Sequence, residues 1–240
     1  MTANTHFPVR YRFADADGVR VFYREAGEPA NPTLLLLHGY PSSSHQFREL
    51  IPLLADKFHL IAPDFPGFGF TEIPEERNYR YSFDSLGKTL TDFVDVLDLK
   101  SYALYLFDYG APVGLRLALA YPERVTGLIS QNANAYIEGL GDAWAPVRAY
   151  WADASVENRQ ILNDAILNLE GTKWQYMHGV RNPESVAPEG YHLDTLLMER
   201  PGNKNIQLDL YLDYANNLKL YPEFQTFFRR TQLPDRKSVV

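Results

Sequence analysis

Four short segments constrain this chain more than any other feature: Thr33–Leu37, Phe58–Ala62, Tyr102–Phe107 and Val125–Ser130. The first two are continuous apolar runs, which suit strands buried on both faces of a mostly parallel sheet. The other two read as further strands. Between the first pair, Phe47, Leu50, Ile51 and Leu54 recur at helical spacing. Phe83, Leu86, Leu90, Phe93, Val94 and Leu97 form an amphipathic helix that Ser82 is placed to cap. Pro112–Tyr121 reads as a helix with proline in its first turn. Ahead of all these, Val9, Tyr11 and Phe13 alternate with polar residues, as do Val19, Val21 and Tyr23. The turn Asp15-Ala16-Asp17-Gly18 joins them into a hairpin. Strands alternating with helices imply an α/β sheet led by an antiparallel hairpin.

The character changes after about Asn134. From Tyr136 to Tyr221 the periodicity is helical, with Ile161–Leu169 in one expected helix and Ile206, Leu210, Tyr214 and Leu218 in another. The stretch between them holds Gly171, Gly179, Pro183, Pro188, Gly190, Pro201 and Gly202 and reads as loop-rich. Residues 1–134 are thus expected to form an α/β core and 135–221 a helical lid. Residues 222–240 begin the last part of the core, with a helix holding Phe224, Phe227 and Phe228 that Pro234 ends.

Composition excludes several functions. Thirty acidic against 23 basic residues leave a net charge of −7, which argues against a nucleic-acid partner. No cysteine is present, so disulfides, thiol nucleophiles and cysteine metal sites are ruled out. His38 and His45 stand seven apart without an evident carboxylate partner, and no metal or other cofactor is expected. Gly67 and Gly69 lack the third glycine of a dinucleotide fingerprint. Met1–Phe13 has no apolar run of the signal-peptide kind, and no run approaches a membrane span. A soluble cytoplasmic protein without a membrane partner is expected.

Three motifs carry chemistry. His38-Gly39-Tyr40-Pro41 follows the first apolar run, Pro63-Asp64-Phe65-Pro66-Gly67-Phe68-Gly69 follows the second, and Phe107-Asp108-Tyr109-Gly110 joins a strand to a helix. All fall at carboxyl ends of strands, where parallel sheets bind ligands.

In order and spacing these motifs resemble the α/β-hydrolase superfamily, in the branch of epoxide hydrolases and haloalkane dehalogenases. The resemblance implies a mostly parallel sheet with helices on both faces and a helical lid. It places the nucleophile on a sharp strand-to-helix turn, which here is Asp108. The backbone N–H groups of Tyr109 and Tyr40 take the oxyanion-hole positions. His38 and Asp64 correspond to residues that shape loops, and His38, Pro41 and Trp151 are candidates for the substrate pocket. One departure is Leu106, two before the nucleophile, where the family prefers a small residue; Gly110 keeps the small residue two after it.

A carboxylate is already ionised near neutral pH and can displace an epoxide oxygen or a halide at a saturated carbon. The product is an ester on Asp108, which water must then hydrolyse with help from a base and an oxyanion hole. Epoxide opening needs an acid for the leaving oxygen, a task that lid tyrosines perform in the epoxide-hydrolase branch. Tyr150 and Tyr214 are the candidates chosen by position, although one register puts Val147 where the first tyrosine belongs. Tyr109 and Tyr40 stand where haloalkane dehalogenases often carry tryptophan and asparagine or glutamate. The substrate is therefore expected to be a small apolar electrophile, an epoxide ahead of a halogenated alkane or acid, with water as co-substrate. A non-catalytic ligand-binding relative is the alternative of another class. The oligomeric state is left open.

The same resemblance implies two further strands after the lid, followed by a catalytic acid and histidine. None of the six histidines follows the lid, and His178 and His192 within it are not read as the base. Asn132 stands at the place where some dehalogenases carry the acid. Asp235-Arg236-Lys237-Ser238-Val239-Val240 resembles a translated sequencing adapter. The natural frame is therefore expected to continue past Leu233, leaving the sheet here with an open edge and the chain poorly soluble.

Overall fold

The computed structural model describes residues 7–231, 233 and 235–238. Pro234, Val239 and Val240 of the tail read above lie outside the described residues, as does His6. A seven-stranded sheet runs in the order β1-β2-β4-β3-β5-β6-β7. Strands β1 (Arg10–Ala16) and β2 (Val19–Ala26) form the antiparallel hairpin, and β2 also pairs antiparallel with β4 (His59–Pro63). From β4 onward β3 (Thr33–Leu37), β5 (Tyr102–Phe107) and β6 (Val125–Gln131) are parallel.

The continuous apolar runs are explained by two cores. Leu35 and Leu37 of β3 point into the larger one, while Leu34 and Leu36 point into a smaller one on the opposite face. Helices α2 (Phe83–Val96) and α3 (Gly110–Ala120) supply the larger core, and α1 (Leu50–Leu54) packs on the other side. Ser82 caps α2, its hydroxyl accepting from the Ser85 N–H at 3.2 Å.

Six helices follow β6: α4 (Ala145–Ala152), α5 (Val156–Ile166), α6 (Leu169–Met177), α7 (Pro188–Met198), α8 (Asn203–Asp213) and α9 (Asn217–Thr231). Two readings are corrected here. The stretch taken as loop-rich contains α6 and α7, with Gly171 and Gly190 inside them. Asn168 starts α6 by accepting from the Gly171 N–H at 2.9 Å, and Pro188 stands in the first turn of α7. The helix expected through Leu218 stops at Asp213, and Leu218 belongs to α9. Asp213 ties this region to the core, since its carboxylate accepts from the Phe83 N–H at 2.7 Å.

The edge of β6 is not left open. Strand β7 (Asp235–Ser238) pairs parallel with it, from Leu128↔Asp235 to Gln131↔Ser238. The tail that resembles a translated adapter thus meets backbone groups that an edge strand leaves unpaired, and the open edge expected at β6 is covered. Among the described residues no helix is long and apolar enough to cross a membrane.

Candidate active site

Asp108 stands between the end of β5 and the start of α3 with φ +47°. That left-handed conformation is uncommon for a residue with a Cβ, and aspartate tolerates it better than most. The sharp bend brings Asp108 against the loop after β3. A Cβ on Gly39 would collide with the Asp108 side chain, so only glycine fits there. Leu106 packs where a side chain on Gly114 would lie: a Cβ there would be 2.5 Å from Leu106 Cδ2 and 2.6 Å from Leu37 Cδ1. The large residue two before Asp108 is therefore matched by a missing side chain one layer away on α3.

The Tyr40 N–H donates to Asp108 Oδ1 at 2.7 Å. Burial pushes the Asp108 pKa up to about 6, against the opposing pull of the Tyr109 and Tyr40 N–H groups. The carboxyl is thus mainly ionised at neutral pH although it is partly buried.

The neighbouring loops are held by His38 and Asp64. The fully buried His38 accepts from the Phe65 N–H through Nε2 at 2.9 Å. Its Nδ1 lies 3.3 Å from the Gly39 carbonyl oxygen, which places the proton there. Burial lowers its pKa to about 3, so the ring is a neutral tie between two loops. Asp64 accepts from the Ser44 N–H at 2.7 Å and the Phe70 N–H at 2.8 Å, and burial raises its pKa.

Asp108 borders two cavities. One, of about 300 Å³, is walled by Tyr40, Tyr109, Tyr211, Val147, Trp144 and Trp174 among others. The second, of about 250 Å³, is bordered by Tyr214, Trp144, Asn132 and Asn134. Burial holds the phenols of Tyr109, Tyr211 and Tyr214 well above their ordinary pKa, so they stay neutral donors. The Tyr109 hydroxyl is buried without a hydrogen-bond partner among the described residues. The Tyr211 ring packs against both the Tyr109 and the Tyr40 rings, at 6.1 and 5.3 Å between centroids.

Of the candidate residues, Asp108, Tyr40, Tyr109 and Tyr214 are brought together. Tyr150 is not: it is buried away from both cavities, and its hydroxyl accepts from Arg159 Nη1 at 2.8 Å. Val147, three residues earlier on α4, faces the cavity instead. His38 and Pro41 border neither cavity. Trp151 stands behind the wall, stacked on Tyr214 at an interplanar angle of 4° and donating to the Tyr211 carbonyl at 2.7 Å. Tyr211 is a cavity residue that position along the lid does not single out, although its three-residue spacing from Tyr214 is a helical signal that points to it. Among the described residues no histidine borders either cavity, and no group of three His, Asp or Glu could hold a metal ion.

A sequence profile described as the alpha/beta hydrolase fold matches residues 32–180. The "Uncharacterized hydrolase YNR064C" of Saccharomyces cerevisiae is 52% identical over 222 residues, covering 91% of this chain and 76% of that protein. Haloalkane dehalogenase 2 of Mycobacterium bovis is 33% identical over 126 residues, 52% of this chain and 43% of that one. A solved structure from Pseudomonas aeruginosa, provisionally described as an epoxide hydrolase, superposes with a TM-score of 0.75 at 21% identity. It covers 98% of this chain and 79% of that one, and it supports the fold alone.

Proposed function

The chain belongs to the alpha/beta-hydrolase fold family, and from that membership we propose that it opens epoxides with Asp108 as nucleophile. The observation that carries this reading is a largely ionised, partly buried carboxylate on a strand-to-helix turn, gripped by the Tyr40 N–H and facing a cavity lined by neutral phenols. The carboxylate oxygen not held by Tyr40 attacks a ring carbon. The carbon–oxygen bond of the ring breaks, and the freed oxygen takes a proton from a phenol, for which Tyr211 is the best-placed donor. The product is a hydroxyalkyl ester of Asp108, and water returns the proton to the phenol.

Hydrolysis of that ester adds water to the Asp108 carbonyl carbon. The N–H groups of Tyr40 and Tyr109 suit the negative charge that develops there, an effect worth about a hundredfold or more in rate. With no histidine at the cavities among the described residues, the ester is expected to persist.

A second reading, halide displacement, is favoured by Trp144 and Trp174, whose indole N–H groups are on residues that line the cavity. Incubation with styrene oxide and with 1-bromobutane in parallel separates the two. Epoxide-derived mass on the protein, or diol in solution, with no bromide released is the expected result. Bromide release without any reaction of the epoxide would replace the first reading by the second.

A further inference from the structure

A second cleft, of about 680 Å³, lies on the sheet face outside the hairpin and shares no lining residue with the cavities at Asp108. Its walls are aromatic: Phe13 packs edge-on to Phe22 at 5.4 Å and Phe70 to Phe22 at 5.3 Å, with Tyr11 beside them. Phe13 is 40% exposed and Tyr11 62%, so this apolar surface is open to solvent.

Arg24 borders the cleft and is only 8% exposed. Its Nε donates to Ser44 Oγ at 3.0 Å and its Nη2 lies 3.4 Å from His45 Nδ1. Among the described residues no carboxylate stands within ion-pair distance of the guanidinium, and the Tyr11 ring centroid lies 5.1 Å from its Cζ. Asp64, the carboxylate that acts on it electrostatically, is engaged by the Ser44 and Phe70 N–H groups. Burying a guanidinium without a direct counter-charge is unfavourable, and burial does lower the Arg24 pKa.

His45 holds this arginine in place. Because its Nδ1 accepts from Arg24, the ring proton sits on Nε2, which is buried and has no partner among the described residues. Arg200 also borders the cleft, anchored to the Gly69 carbonyl at 2.8 Å. The one carboxylate on the rim, Glu72, is already paired with Arg20 at 2.7 Å.

We propose that this cleft is a binding site for an aromatic carboxylate, held by Arg24 and Arg200 at its anionic end and by Phe13, Phe22 and Phe70 along its ring. The guanidinium fork matches the two oxygens of a carboxylate. Glu72 on the rim and the net charge of −7 weigh against a dianion such as a phosphate monoester. The site is independent of the role given to Asp108.

Titration of the intact chain with 2-naphthoate, followed by fluorescence, tests it. One equivalent is expected to bind saturably, and neutral 2-naphthamide about tenfold or more weakly. Arg24→Gln is expected to weaken naphthoate binding by a similar factor. Phe13→Ala, at an exposed position where folding is not at stake, is expected to weaken it severalfold. Absence of saturable binding, equal binding of acid and amide, or unchanged binding in the Phe13→Ala protein would overturn the proposal.

Discussion

Leu106 and Gly114 are complementary: the leucine methyl fills the place that a Cβ on the glycine would take, at 2.5 Å. The turn that carries Asp108 thus keeps its shape despite a large side chain two residues before it. Gly114→Ala is expected to destabilise the chain by about 1–3 kcal/mol through overpacking. Combined with Leu106→Ala, which opens space at the same point, it should cost less than the two single changes together. Urea unfolding of both single variants and the double variant measures the coupling, expected at about 0.5–3 kcal/mol. Strict additivity would show that the two side-chain positions do not share this space.

The core was legible because apolar runs such as Thr33–Leu37 have one physical solution, a strand covered on both faces. The position of Asp108 was legible for a similar reason, since a strand, an acidic residue and a helix in succession fix a bend. The helical part was harder. Gly171 and Gly190 masked α6 and α7. Whether Tyr150 or Tyr211 reaches the cavity depends on how α4 and α8 dock, which their own residues do not state. The Leu106–Gly114 match joins a strand to a helix and became visible only once the two were packed.

Tyr211 and Tyr150 have opposite expectations. Tyr211 borders the cavity at Asp108, whereas the Tyr150 hydroxyl is engaged by Arg159. Tyr211→Phe is expected to slow epoxide-dependent ester formation by about a hundredfold, the typical worth of a positioned acid. Tyr150→Phe is expected to leave that rate close to the parent value. Stopped reactions analysed by intact-protein mass give both rates, and a larger loss from Tyr150→Phe would reverse the assignment.

Asp194 on α7 is buried at 2% exposure and accepts from the Tyr176 hydroxyl at 2.6 Å, while its Oδ1 has no partner among the described residues. Burial raises its pKa to about 7. The folded chain therefore holds a proton that the unfolded chain releases above the ordinary carboxylate range. Stability is expected to fall as pH rises from about 4 to about 7 and then to level off. Asp194→Asn, which keeps the acceptor for Tyr176 but cannot ionise, should flatten this fall. Melting temperatures measured from about pH 4 to about pH 8 would contradict it if both proteins tracked each other.

The same sign applies to Asp108, whose pKa rises to about 6 on burial. Its ionisation in the folded state opposes folding above that pH, by up to about 3 kcal/mol. Asp108→Asn tolerates the left-handed backbone and removes the partly buried charge. It is expected to raise stability at neutral pH, as seen in denaturant midpoints. A variant less stable than the parent there would show that the charge is better compensated than its burial implies.

The most direct measurement is peptide mapping by mass spectrometry after incubation of the intact chain with styrene oxide. One equivalent of epoxide-derived mass is expected on the peptide containing Asp108, on that side chain, and none in the Asp108→Asn protein. Substrate-derived mass confined to other residues, or diol formed equally fast by the Asp108→Asn protein, would contradict the account.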